Sequence, residues 1–209
     1  KNFDLKKINN EIILFKQKIF YYKFNLLYGG TIWHGSRACK KKDFISPQWL
    51  RNTKHRKYPF WRLDAIFSKM SSNKVTHALC VSVTLDKFPD IYKMANTYPH
   101  IFASVGVHPD YENIQEPTIE ELCHFAKEKK VVAIGETGLD YFRVQGDLAW
   151  QRDRFRTHIK AAVQSNLPLI IHTRNAAEDT LKIMREEGAD KVGGVMHCFT
   201  ESLDVALEA

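Results

Sequence analysis

From Leu63 onward, short apolar runs rich in β-branched residues alternate with amphipathic segments of helical period, and this alternation constrains the fold more than any other feature. The runs are HALCVSVTL from His77, FASVGV from Phe102, VVAI from Val131, LPLII from Leu167 and GGVM from Gly193. The intervening segments carry helix signals. Pro89 suits a first helical turn. Thr118 and Glu121 have capping-box spacing and open a helix through about Lys130. Leu148, Phe155, Ile159, Ala162 and Val163 line one side of a long helix reaching about Asn166. Asn175 and Glu178 can cap another helix, which Gly188 ends, and Ser202 to Ala209 begins one more. Apolar strands joined by helices predict an α/β fold with a parallel sheet and right-handed crossovers, of which five strands are visible.

These runs deliver polar side chains at their ends. The stretch VVAIGETGLDYFR ends its apolar run at Gly135 and then presents Glu136, and the other runs present His108, His172 and His197. A single GET motif reads best as a carboxylate capping the next helix. Repetition of the device four times argues otherwise, because in a parallel sheet or barrel all strand ends lie on one face and their residues converge. Imidazole and carboxylate together suit divalent zinc, manganese or magnesium. Such an ion lowers the pKa of bound water and supplies hydroxide at neutral pH. His34, His55, His77, His100, His124 and His158 have no such placement, and are expected to be hydrogen-bonded core or surface histidines.

Charge divides the chain. Residues 1–60 carry 14 Lys or Arg against 3 Asp or Glu, whereas residues 61–209 carry 17 against 21. Two segments follow, a basic N-terminal one of doubtful order (1–60) and a partial hydrolase domain (61–209). In the first 30 residues, 21 are Lys, Asn, Ile, Phe or Tyr, the types that A/T-rich codons encode. We therefore expect much of residues 1–60 to be translated non-domain DNA; native peptides spanning Phe15 to Tyr28 would refute this. The competing reading is a basic arm gripping DNA phosphates. Four cysteines without C-x-x-C spacing point to a reducing compartment. No apolar run nears the roughly 18 residues of a membrane span, and no secretory signal opens the chain. The expectation is a soluble, cytoplasmic protein, with a nuclear location left open.

GVHPDY at Gly106, AIGETGLDYFR at Ala133, IIHTRNA at Ile170 and MHCFT at Met196 resemble the consecutive blocks of the TatD family of metal-dependent deoxyribonucleases, from about Leu63 to Ala209. The resemblance implies a partial (β/α)8 TIM barrel of amidohydrolase type, acting on DNA with one or two divalent ions (Mg2+, Zn2+ or Mn2+). It implies that Glu136 is catalytic and a metal ligand, that His172 and His197 are imidazole ligands, and that His108 and Arg174 lie near the substrate phosphate. Two family features are absent, the H-x-H pair of the first strand and the aspartate of a T-D-S/A-P-like block after the seventh. At 209 residues the chain is short of the roughly 250 of a complete barrel, so strand edges are expected to stay open. The chain as written is expected to be poorly folded or inactive. Two alternatives stay open: an amidohydrolase acting on a small amide, ester or lactone, and a non-catalytic remnant binding nucleic acid through the basic segment. Oligomeric state is not legible.

Overall fold

The computed structural model describes residues 67–68, 70–143 and 146–209. The expectations for residues 1–60 lie outside the described residues. The chain divides between Ala78 and Leu79. In the first part, the Met70 carbonyl accepts from the Asn73 and Val75 N–H groups, closing a turn. The second part carries the sheet.

Five strands, β1 (Ala78–Cys80), β2 (Ile101–Val105), β3 (Val131–Asp140), β4 (Leu169–Arg174) and β5 (Gly194–His197), lie side by side in chain order. The ladders β2·β3, β3·β4 and β4·β5 are all parallel. Helices α1 (Phe88–Thr97), α2 (Ile119–Ala126), α3 (Ala149–Ser165), α4 (Ala177–Glu187) and α5 (Leu203–Glu208) follow the strands in turn. Strands in sequential order joined by helices are the arrangement expected of successive βα units. No helix among the described residues is long and apolar enough to cross a membrane.

The caps follow from local chemistry. Pro89 sits in the first turn of α1. Thr118 and Glu121 form a complete capping box on α2, each side chain accepting from the other's backbone N–H. Gly188 ends α4 at φ +71°, where a side chain would strain the backbone. The expected cap by Asn175 and Glu178 is corrected: the helix is capped at Ala176 with no side-chain bond, and Asn175 itself turns to φ +52°. Asn tolerates that left-handed turn, which directs the chain off the end of β4.

Strand lengths also depart from expectation. β1 stops at Cys80 instead of running to Leu85, because Ser82 and Val83 bond individually to the Glu136 and His108 amides. β3 does not stop at Gly135; it pairs with β4 as far as Asp140 opposite Arg174, with one register shift between Gly135 and Thr137. Glu136 therefore lies within a strand rather than just beyond it.

Helix α3 packs against β3 and α2 through Phe155, Ile159, Ala161 and Ala162, all fully buried. Each large apolar side chain among them contributes about 1.5–3 kcal/mol on burial. The same helix also buries polar side chains, Gln151, Arg154 and His158, at i, i+3 and i+7 on one face. His158 Nδ1–H donates to the Arg154 carbonyl at 2.8 Å, and its Nε2 accepts from the Val107 amide at 3.0 Å. It is the hydrogen-bonded core histidine expected from the sequence. Protonation would set Nε2–H against the Val107 N–H, and burial holds the ring well below its ordinary range, at about 4.

A depressed histidine contributes stability fully present above the unfolded value of 6.5 and lost as pH falls toward 4. Denaturant unfolding should show roughly 3 kcal/mol of stability lost between pH 7 and pH 4 from this group. His158→Gln should lower stability at pH 7 and flatten that part of the pH profile; an unchanged slope would refute the assignment.

Candidate metal centre

The carboxyl end of the sheet gathers the polar residues. Glu136 is 4% exposed, and its Oε1 is the point on which three imidazoles converge. His172 Nδ1 lies 3.7 Å from it, His108 Nε2 3.9 Å, and His197 Nδ1 is in direct hydrogen-bond contact. Ligand atoms of His108, Glu136 and His172 all lie within 4.8 Å of one another.

Backbone packing makes this convergence geometrically available. Gly138 sits at φ +133° opposite His172, and a Cβ there would fall 2.0 Å from the His172 carbonyl oxygen. Only glycine lets β3 and β4 approach at the level of the site. His172 is in turn paired with His197 across β4 and β5. Glu136 itself is fixed by its N–H, which donates to the Ser82 carbonyl at 3.1 Å.

A carboxylate stands behind two of the imidazoles. His172 Nε2 donates to Asp140 Oδ2 at 3.0 Å, which turns Nδ1 toward Glu136. Asp140 is fully buried, and its Oδ1 accepts from the Phe142 and Arg143 amides at 3.0 and 2.9 Å. Burial disfavours its ionised form, but the His172 bond and these two amides outweigh burial and hold the carboxyl below its ordinary range. For His172, burial favours the neutral ring, and the Asp140 and Glu136 carboxylates more than reverse this, raising it to about 9.

His108 has the second partner. Its Nδ1 accepts from the Asp110 amide at 3.2 Å and faces Asp110 Oδ1 at 3.7 Å. That oxygen is buried without a hydrogen-bond partner, while Oδ2 is bonded by Arg143. Burial raises the Asp110 carboxyl, with Arg143 opposing. With Nδ1 accepting from the Asp110 amide, the neutral His108 ring carries its proton on Nε2, so ligation through Nε2 requires that proton to move to Nδ1 and the hydrogen bond from the Asp110 amide to be given up. Donor set and orphaned acceptor together fit a divalent cation.

The buried polar face of α3 holds these loops in place. His158 bonds the Val107 amide, Arg154 donates to the His108 carbonyl at 3.1 Å, and Gln151 donates to the Pro109 and Asp140 carbonyls at 3.2 and 3.3 Å. Gln151 Oε1 also accepts from the Asp140 amide at 3.0 Å. Arg154 is anchored by Glu116. Arg174, two residues past His172, stacks its guanidinium 3.8 Å over the Phe142 ring. Sequence reasoning missed Asp110, Asp140 and Gln151; Asp140 joins the site only because β3 continues past the register shift at Glu136.

The profile of the TatD related DNase family matches residues 52–209. The chain belongs to that family. Over 155 residues it is 40% identical to an uncharacterized metal-dependent hydrolase of Buchnera aphidicola, covering 71% of this chain and 59% of that protein. It is 32% identical over 138 residues to the 3'-5' ssDNA/RNA exonuclease TatD of Escherichia fergusonii, covering 66% of this chain and 53% of that protein. Among solved structures, YJJV, the TatD homolog of Escherichia coli, superposes with a TM-score of 0.65 at 26% identity, covering 73% of this chain and 60% of that one. The five parallel strands thus form half of the TatD TIM barrel. The chain spans little more than half the length of the relatives it matches.

In this TatD family member, an elevated His172 contributes stability fully present below 6.5 and lost as pH rises through about 9. With chelator present, the His172 ring should titrate near 9 by NMR, and Asp140→Asn should bring it down by about one unit or more. A His172 titration unchanged in that variant would show that the carboxylate does not hold the ring.

Proposed function

We propose that this TatD family hydrolase cleaves phosphodiester bonds in DNA as an exonuclease. The observation that carries this reading is the convergence of three imidazole nitrogens on the single buried oxygen Oε1 of Glu136. His108 through Nε2, Glu136, His172 through Nδ1, and His197 are the side chains that would hold one or two divalent ions. An ion so held supplies Lewis acidity toward a phosphoryl oxygen and hydroxide at neutral pH.

The chain's own residues prepare the site for that chemistry. Asp140 keeps the His172 proton on Nε2, so Nδ1 stays available toward Glu136. The Asp110 amide fixes the other side of His108 by donating to its Nδ1. Arg174 is the cation nearest in sequence to His172, and stacking on Phe142 uses its π-face while leaving its in-plane N–H groups for a phosphate. A nucleic-acid substrate accords with the exonuclease name of the Escherichia fergusonii relative.

Calorimetry with Mn2+ or Zn2+ should show stoichiometric binding to the chain. Asp140→Asn should weaken it about 10–100-fold, the usual cost of losing an outer-shell partner. Glu136→Gln should weaken it at least as much. With Mn2+ present, end-labelled single-stranded DNA should shorten stepwise, and chelator or Glu136→Gln should stop this. Such turnover would also overturn the expectation, drawn from the absent H-x-H pair and aspartate, that this chain is inert. Metal binding accompanied by hydrolysis of a small lactone or amide but of no oligonucleotide would reject the nuclease reading.

A further inference from the structure

The turn after β3 carries a feature that metal chemistry does not require. Phe142 is 56% exposed at the carboxyl end of the sheet, two residues past Asp140. Single exposed aromatic residues are ordinary on protein surfaces. This one differs in how its backbone is held. The Phe142 and Arg143 amides both donate to Asp140 Oδ1, the Tyr141 amide donates to the Arg174 carbonyl at 2.9 Å, and the Tyr141 hydroxyl donates to Asp179 at 2.6 Å. Arg143 crosses to Asp110. A fully pinned turn thus presents an apolar ring to solvent.

Arg174 covers one side of that ring, its guanidinium carbon 3.8 Å from the centroid, and with half the residue still exposed the other side faces solvent. The carboxylate that pins the turn is the one that orients His172. Ring and metal centre are therefore in fixed register through a single side chain. An aromatic face backed by a guanidinium is the chemistry that stacks a nucleobase, and every base offers a π-face to it.

We propose that Phe142, backed by Arg174, is a stacking platform for one unpaired base of the nucleic acid whose phosphate is held at the metal centre. This rests on the nuclease reading and adds to it the residue that would engage a base of a single strand, the substrate form in the name of the Escherichia fergusonii relative: a base inside a duplex has both faces covered by its neighbours, whereas an unpaired or terminal base can leave the stack.

The test uses the full chain with Mn2+ and fluorescently labelled, phosphorothioate-linked oligonucleotides, one an oligothymidylate and one an abasic strand of equal length. Fluorescence anisotropy should show the thymidine strand bound about tenfold more tightly than the abasic one. Phe142→Ala should erase this ratio, and being exposed the substitution should leave the fold intact. Phe142→Trp should restore the ratio, and its added fluorescence, read against the parent protein, should be quenched by the thymidine strand and not by the abasic one. A ratio near one in the parent, a ratio that survives Phe142→Ala, or absent quenching in Phe142→Trp would each overturn the platform while leaving the nuclease reading standing. Binding of neither strand by the parent would overturn both.

Discussion

A carboxylate buried at the mouth of a parallel sheet is costly unless charge and hydrogen bonds meet it, and Glu136 sets that requirement for its surroundings. Three histidines satisfy it from three different strand ends. The backbone must then bring those ends to one level. Parallel pairing sets His172 beside Gly138 and beside His197, and the missing side chain at Gly138 removes what would otherwise block the approach. The geometry of the sheet and the chemistry of the site are one constraint seen from two sides.

Much of this was legible in the residues, for definable reasons. Buried strands in βα units are nearly continuous apolar runs, and their ends are where polar groups become affordable, so His108, Glu136, His172 and His197 stood out by position. The capping box at Thr118 and Glu121 is a local device that needs no tertiary partner, and it formed as read. What depended on neighbours was misjudged. The extension of β3 to Asp140 comes from pairing with β4 beyond a register shift, which no property of VVAIGETGLD alone announces. The shortening of β1 likewise reflects single bonds that the Ser82 and Val83 carbonyls accept from the Glu136 and His108 amides.

Helix α3 shows why a periodic pattern can conceal function. Its apolar residues satisfy the amphipathic template, so Gln151, Arg154 and His158 read as its polar flank. In the fold they are buried, and they bond the backbone of residues 107 to 109 and of Asp140. Backbone groups of three successive residues, the Val107 amide and the His108 and Pro109 carbonyls, are met by side chains spaced by three and four residues, about one helical turn. A loop bonded in this way can hold an imidazole in one place, because any rearrangement would break these bonds.

Charge balance gives the arrangement its direction. Around the site stand three carboxyl groups, Asp110, Glu136 and Asp140, facing the guanidinium of Arg143 and, in the metal-free protein, the raised imidazole of His172. With all three carboxyls ionised, those two cations leave one negative charge unmatched among these groups, in a setting where burial already opposes ionisation of Asp110. A doubly charged cation beside a neutral His172 matches all three. The proton that Asp140 and Glu136 hold on His172 is then a placeholder for a larger charge, and Asp140, positioned behind His172, keeps that ring oriented in either state. Histidines meant only to neutralise Glu136 would need no such backing, since a ring that donates to one carboxylate gains nothing in orientation from a second buried one that itself requires partners.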